Sequence, residues 1–207
     1  MQTGYCGEIA LKDSKLKKTK CYVTRKGLNP VDGTVVIAEV DSYETERHEL
    51  VLKAHIVKEI GYKDAVGMDI LMILHQLKIP TVFPDSVIEE ANRVSETISP
   101  EEIEGRVDLR QELTVTIDGA DAKDLDDAVA LVKREDGTFV LTVSIADVSY
   151  YVTENSEMDK EAFERGTSVY LTDRVVPMLP QRLSNGICSL HPYEERLTLT
   201  ARMEIDR

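Results

Sequence analysis

The sequence lacks the features that mark membrane-bound and secreted proteins. No apolar run approaches the roughly 20 residues that a helix needs to span a bilayer, and Met1–Tyr5 lack the basic and then apolar regions of a secretory signal. The three cysteines, Cys6, Cys21 and Cys188, form no close pair and cannot all be bridged within the chain. We therefore expect a reduced protein of the cytoplasm, with no membrane partner.

Positive charge is also scarce. The net charge is −13, which argues at first against a nucleic-acid binder, because phosphate contacts need Lys and Arg. The charge is uneven, however, since residues 12–26 read KDSKLKKTKCYVTRK and hold seven cations against one acid. This run is either a solvated strand–turn surface or a rim that contacts a phosphate backbone through Lys17, Lys18 and Lys20.

The pattern of apolar residues changes twice along the chain. Segments 21–24, 34–40 and 50–57 are rich in β-branched residues and predict a small antiparallel sheet or barrel. Residues 61–106 have helical periodicity and two candidate helix starts, at Asp85-Ser86 and at Ser99-Pro100. These changes predict an α+β protein with a helical connector between two β-rich regions.

Beyond Val107 the strand pattern returns, with a hairpin turn predicted at Asp136-Gly137. The predicted strands are 113–117, 128–133, 139–146, 168–171 and 197–205, and the predicted helix is 158–165. The first of these strands would end at Asp118, so the residues after it would form a loop between two paired strands.

That loop concentrates negative charge. Residues 117–129 read IDGADAKDLDDAV and place five aspartates within ten positions, namely Asp118, Asp121, Asp124, Asp126 and Asp127. Two unit charges about 4 Å apart repel by about 1 kcal/mol in water, so protonation or a bound cation is expected. Oxygen ligands without an adjacent His or Cys favour Mg²⁺ or Mn²⁺ over zinc. A solvated acidic loop remains an alternative, as does a calcium loop, although EF-hand spacing is not met from Asp118.

Five motifs in sequence order carry a family resemblance. They are GRVDLR (105–110), TIDGADAKDLDDAV (116–129), SIADVSYYV (144–152), RGTSVYL (165–171) and PMLPQRLSNGICSLHP (177–192). The run resembles the catalytic domain of the ribonuclease II and ribonuclease R family, and the ribonuclease R members more closely. The resemblance implies a Mg²⁺-dependent hydrolase, with Mn²⁺ as a substitute, that shortens RNA from its 3′ end and releases 5′-nucleoside monophosphates.

The resemblance also implies roles for individual residues. The family's four aspartates are separated by six, two and one positions, which selects Asp118, Asp124, Asp126 and Asp127 and leaves Asp121 outside. Asp118 and Asp127 would bind metal directly, Asp124 would assist, and Asp126 would be the residue whose loss most damages the chemistry. Tyr170 would stack on the terminal base, while Tyr150, Tyr151 and Cys188 would be packing residues.

The resemblance extends towards the start of the chain. Residues 1–60 resemble part of a cold-shock domain with an OB-type barrel, 61–106 a helical connector, and 107–207 the first part of an RNB catalytic domain. Because this is only part of the family protein, we expect the isolated chain to have little or no activity and to self-associate through uncovered apolar faces. A non-catalytic RNA-binding relative is the alternative.

Overall fold

The structure is a computed structural model that describes residues 5–16, 18–46 and 49–206. It is a mixed α+β chain with nine strands and five α-helices in the described residues. The chain divides into two compact units, Met1–Ile79 and Pro80–Arg207, here called unit 1 and unit 2. The boundary falls inside the predicted connector. No helix in the described part of the chain is long and apolar enough to cross a bilayer.

Unit 1 is a four-stranded sheet with one helix. Its strands are β1 (Tyr5–Glu8), β2 (Lys20–Gly27), β3 (Thr34–Glu46) and β4 (Glu49–Tyr62), and its helix is α1 (Met68–Gln76). The strand order is β1-β2-β4-β3, with β2 parallel to β4 and the other neighbours antiparallel. Over residues 5–16, 18–46 and 49–62 the sheet does not close into a barrel.

Unit 1 forms its own apolar core, as the alternating sequence pattern requires. Side chains from β2, β4 and α1 are buried there, including Cys21, Val23, Val51, Ala54, Ile56, Met68 and Leu74. The long pairing of β3 with β4 contains three register shifts, between Val35 and Val36, Ile37 and Ala38, and Val40 and Ser42. Bulges of this kind increase the local twist of a strand pair.

Unit 2 contains two sheets and four helices. The strands are β5 (Asp127–Lys133), β6 (Phe139–Ala146), β7 (Val169–Tyr170), β8 (Val175–Val176) and β9 (Thr198–Ile205). The helices are α2 (Asp85–Arg93), α3 (Pro100–Ile103), α4 (Val148–Tyr151) and α5 (Glu157–Arg165), with a π-helical turn at Leu183–Ile187. Strands β5, β6 and β9 form an antiparallel sheet in that order, and β7 pairs with β8.

Local signals in the sequence explain several of these elements. Ser99 and Glu102 form the two reciprocal hydrogen bonds of a capping box, with Pro100 at the first position of α3. The predicted cap at Asp85-Ser86 is wrong, because α2 begins at Asp85, directly after Pro84, and no side chain caps it. Strands β5, β6 and β9 and helix α5 lie where the sequence predicted them.

The core of unit 2 lies where α2, α5 and the π-helical turn meet. Its buried residues are Val87, Ala91, Ala146, Met158, Leu179, Leu183, Ile187 and Cys188. Cys188 is thus the buried packing residue that the sequence predicted, and burial raises the pKa of its thiol to about 12. One face of the β5-β6-β9 sheet leaves apolar side chains exposed, including Leu131, Ile145, Leu199 and Met203.

A buried arginine joins three segments of unit 2. The side chain of Arg165 is almost fully buried, and its guanidinium lies 3.7 Å from the centre of the Phe83 ring. Its nitrogens donate to Glu161 Oε1 and to the carbonyl oxygens of Pro80, Val82 and Pro177, at 2.8, 2.9, 3.0 and 3.2 Å. These bonds attach α5 to the segment before α2 and to the segment after β8.

Candidate active site

The aspartate loop, residues 118–126, begins after a single strand-like bridge. Val115 and Val129 exchange two backbone hydrogen bonds of 2.9 Å. The predicted strand 113–117 is wrong beyond this bridge, because Leu113 and Ile117 are 87% and 85% exposed and pair with no strand in the described residues. Alternation alone does not make a strand when only one residue finds a partner. The bridge nevertheless holds the two ends of the loop region together, as the prediction required.

The second end of the loop is fixed by β6 and by the segment after the π-helical turn. The amide of Ala146 donates to the Asp126 carbonyl at 3.0 Å, and the amide of Leu190 donates to the Leu125 carbonyl at 2.8 Å. Asp127 is then the first residue of β5 and pairs with Ile145. The loop therefore has irregular backbone but anchored ends.

The electrostatics single out Asp126. Its pKa is raised, first by desolvation and then by the charges of Asp124, Asp127 and Asp118. The other three aspartates that the family spacing selects therefore all raise the pKa of Asp126 through their charges. Asp121 is exposed and is not among the charges that act on Asp126.

The donor set suits a hard divalent cation in kind. The loop supplies carboxylate oxygens with no His or Cys near them in sequence, as Mg²⁺ and Mn²⁺ prefer. However, no three His, Cys, Asp or Glu side chains lie close enough to share a metal ion within residues 5–16, 18–46 and 49–206. Carboxylates that repel one another stand apart unless a cation draws them together. The residues fit the ion chemically, but their side chains are not yet gathered around one point.

Tyr170 contacts the loop directly. Its hydroxyl donates a hydrogen bond to Asp124 Oδ2, although 46 residues separate the two. That bond is the main cause that raises the Tyr170 pKa to about 12, with burial and the charges of Asp124 and Asp126 adding to it. The tyrosine is 64% exposed, so part of its side chain is open to solvent. The structure thus brings together two site residues that came from separate motifs.

The basic rim lies in unit 1 and is described by itself. Lys17 lies outside the described residues. Lys18 is exposed, and Lys20 is the first residue of β2 and forms an exposed 3.6 Å ion pair with Glu49. Such a surface pair contributes little stability, and contact of these lysines with RNA stays a prediction.

Two motif residues that the sequence left without a role hold other motifs in place. Asp147, in SIADVSYYV, is buried and accepts hydrogen bonds from Arg106 Nη2 at 2.9 Å and Ser149 Oγ at 3.0 Å. Arg106, in GRVDLR, also lies 5.2 Å from the centre of the Tyr150 ring. Tyr151 packs against the core of unit 2. Tyr151 is therefore a packing residue, as predicted, whereas Tyr150 is 43% exposed and its ring contacts Arg106 and Tyr151.

Ser189 is a further residue that sequence reasoning missed. It lies in the last motif, LSNGICSLHP, where nothing about a lone serine indicated a partner. In the structure it is fully buried and bonded to the aspartate loop. Its motif membership was the one available signal.

Comparisons with known proteins agree with the two-part organisation. Residues 106–207 match the family model of the RNB domain, and residues 9–84 match that of the cold shock domain. Ribonuclease R 1 of Lactococcus lactis is 49% identical over 204 residues, covering 99% of this chain and 25% of that protein. Ribonuclease R of Thermotoga maritima is 49% identical over 174 residues, covering 83% of this chain and 24% of that protein.

A solved ribonuclease R structure has a similar fold. Mycoplasma genitalium RNase R in complex with double-stranded RNA has a TM-score of 0.84 at 33% identity, covering 92% of this chain and 34% of that one. The chain thus spans about a quarter to a third of the length of the relatives that it matches.

Proposed function

Because the chain belongs to the ribonuclease II/R (RNB) family, we propose that it carries the principal carboxylate loop of a hydrolytic 3′-to-5′ exoribonuclease. One observation carries the proposal. Within the matched RNB segment, the Tyr170 hydroxyl donates to Asp124 Oδ2 in the aspartate loop, where the charges of Asp118, Asp124 and Asp127 raise the pKa of Asp126. The activity proposed is that of a full-length protein containing these residues.

Each residue of the site has a proposed role. Asp118 and Asp127 would hold Mg²⁺, or Mn²⁺ in its place, with Asp124 assisting. The bound ion would supply positive charge next to the scissile phosphate and lower the pKa of water. Asp126, whose pKa is raised by the charges of the other three, would orient the attacking water or the phosphate. The products would be 5′-nucleoside monophosphates.

Tyr170 is proposed to receive the 3′-terminal nucleotide. Its ring is available because the residue is largely exposed, and its hydroxyl is held at Asp124. Stacking on an aromatic ring accepts any base, which suits an enzyme that shortens RNA without regard to sequence. A base stacked there would place its phosphate near the carboxylates that hold the metal.

Unit 1 is proposed to contact RNA through its basic residues. The match to the cold shock domain supports a partial OB-type barrel in residues 1–60, followed by the connector 61–106 and the RNB part 107–207. Lys17, Lys18 and Lys20 would contact the RNA backbone. The three free cysteines suit the proposed cytoplasmic location.

The isolated chain is proposed to be nearly inactive and prone to self-association. It corresponds to about a quarter of the length of the curated relatives, so most of their length has no counterpart in these residues. The exposed apolar face of the β5-β6-β9 sheet, with Leu131 and Leu199 on its two outer strands, supports association between copies.

The enzyme proposal is tested on a full-length protein carrying this chain. The protein, its Asp126→Asn variant and its Asp121→Asn variant are incubated with 5′-labelled RNA and Mg²⁺. We expect a ladder of 3′-shortened products from the unmodified protein and from Asp121→Asn, and none from Asp126→Asn. Asp121 is the matched control because it lies in the same loop and loses the same charge.

Other outcomes separate the alternatives. Equal cleavage by the Asp126→Asn variant would remove the role given to Asp126. RNA binding without cleavage by any of the three proteins would favour a non-catalytic RNA-binding relative. Tight Ca²⁺ binding without cleavage would favour a structural calcium loop.

A further inference from the structure

The backbone on both sides of Asp124 is held by one distant side chain. The Ser189 hydroxyl accepts a 3.0 Å hydrogen bond from the Leu125 amide and donates a 2.9 Å hydrogen bond to the Lys123 carbonyl. These two groups immediately precede and follow Asp124. A single hydroxyl, 64 to 66 residues away in sequence, therefore bridges the peptide groups that flank this carboxylate.

Ser189 is itself held firmly. Its side chain has no solvent exposure, and it lies between buried Cys188 and half-buried Leu190. Its amide donates to the Gly186 carbonyl at 2.9 Å, in the π-helical turn. Its carbonyl accepts a 2.8 Å bond from Arg196 Nε, whose side chain is almost fully buried. The hydroxyl is thus positioned by the core and not by the loop.

The loop needs such an external support. Residues 118–126 have no regular secondary structure, and the carboxylates coupled to Asp126 repel one another. Without an anchor, the loop would lower this repulsion by turning its carboxylates apart. Ser189 opposes that movement at Asp124, which is also the residue bonded to the Tyr170 hydroxyl.

We propose that Ser189 is a positioning residue, which sets the direction of the Asp124 carboxylate towards the cation and the 3′-terminal nucleotide. The inference rests on the proposed function, because it concerns the same loop. It adds a residue with no side-chain contact to metal or RNA. Groups that orient metal ligands in this way typically change metal affinity about 10- to 100-fold when they are removed.

The test measures cation binding to this chain without using catalysis. Tb³⁺ is a suitable probe because it prefers oxygen ligands and emits light when a nearby tyrosine is excited. Tyr170 touches Asp124, so the part of the emission that a Tyr170→Phe variant loses reports the loop. Binding curves are compared for the wild-type chain, Ser189→Ala and Ser189→Thr, which keeps the hydroxyl.

Ser144→Ala is the matched control. Ser144 is a buried serine whose hydroxyl bonds to Thr200 Oγ1 at 2.9 Å within the sheet, and within the described residues it makes no hydrogen bond to the aspartate loop. Both alanine variants lose one buried hydroxyl and its hydrogen bonds, and the thermal stability of each is measured alongside. A general loss of stability would therefore affect both.

We expect Ser189→Ala to weaken Tyr170-dependent Tb³⁺ binding about tenfold, while Ser144→Ala stays within about twofold of wild type and Ser189→Thr recovers most of the affinity. Equal binding by Ser189→Ala and wild type would overturn the inference, as would an equal loss in Ser144→Ala. If Ser189→Ala does not fold, Ser189→Cys, with its weaker sulfur donor, is judged by the same criteria.

The outcome is distinguishable from failure of the proposed function. If the full-length protein cleaves RNA in an Asp126-dependent manner but Ser189→Ala binds Tb³⁺ normally, the exoribonuclease stands and the positioning role falls. If wild-type chain gives no Tyr170-dependent emission, the positioning role also falls, whatever the cleavage assay shows.

Discussion

Replacing Asp126 with Asn should stabilise the metal-free chain, because folding places this carboxylate where its charge is unfavourable. Its pKa is raised by desolvation and by the charges of Asp124, Asp127 and Asp118. In the unfolded chain, water solvates the carboxylate and the neighbouring charges move apart. The amide keeps the size of the side chain and removes the charge. The substitution therefore lowers the free energy of the folded state more than that of the unfolded state.

The size of the effect follows from the exposure of the loop. Two unit charges about 4 Å apart repel by about 1 kcal/mol in water, and by less at larger separations and in salt. Asp126 is exposed as a residue. Solvent therefore screens the three repulsions strongly, and the free-energy cost of desolvation is small. We therefore expect a gain of about 0.5 to 1 kcal/mol in the free energy of unfolding of unit 2.

The assay must report unit 2 by itself and exclude bound metal. Hydrogen–deuterium exchange of peptides from β6, in EDTA and low salt, measures the opening of this sheet and not that of unit 1. The Asp126→Asn variant should exchange about two- to fivefold more slowly than wild type, which corresponds to the stated free energy. At about 1 M salt, where the Debye length is about 3 Å, most of the difference should disappear.

The control and the refutation use the same loop. Asp121→Asn removes one charge from an exposed residue that does not act on Asp126, so its exchange should match wild type. If Asp126→Asn is no more stable than Asp121→Asn in EDTA, the carboxylates are not under the repulsion described above. In added Mg²⁺ the difference between Asp126→Asn and Asp121→Asn should shrink, because a divalent cation bound by the neighbouring aspartates attracts the Asp126 carboxylate and offsets the repulsion.

Three further predictions concern other parts of the chain. Arg165→Met should lower the free energy of unfolding by about 3 kcal/mol or more in urea denaturation, because Glu161 and the bonded carbonyl oxygens lose their buried partner. The control Arg134→Met removes an exposed ion pair and should lower it by less than about 1 kcal/mol. Equal losses in the two variants would contradict this prediction. Iodoacetamide should label exposed Cys6 in the native chain and Cys188 only after unfolding, as read by peptide mass; native labelling of Cys188 would show that it is not buried. Lys20→Ala should reduce the slope of log affinity for single-stranded RNA against log salt by about 0.7, and an unchanged slope would remove this lysine from the RNA interface.

Local sequence patterns were sufficient for the elements whose stability is local. The alternation in 139–146 and 197–205 predicted β6 and β9, and the Ser99-Pro100 signal predicted the capping box of α3. These features depend on neighbours one to four residues away, so their signal lies within a short window. The same method failed at 113–117, because a strand needs a partner along its length and only Val115 has one in the described residues.

The sequence by itself also predicted which carboxylates form the proposed site, since the motif spacing that selects the four aspartates is a local property. Only the tertiary structure decided what holds and surrounds them. Tyr170 reaches Asp124 across 46 residues, and Ser189 reaches the peptide groups beside Asp124 across 64 to 66 residues. A lone tyrosine or serine has many potential hydrogen-bond partners. Which of them it meets depends on the path of the chain through the sheet, the π-helical turn and the buried core, and no short window of sequence contains that path.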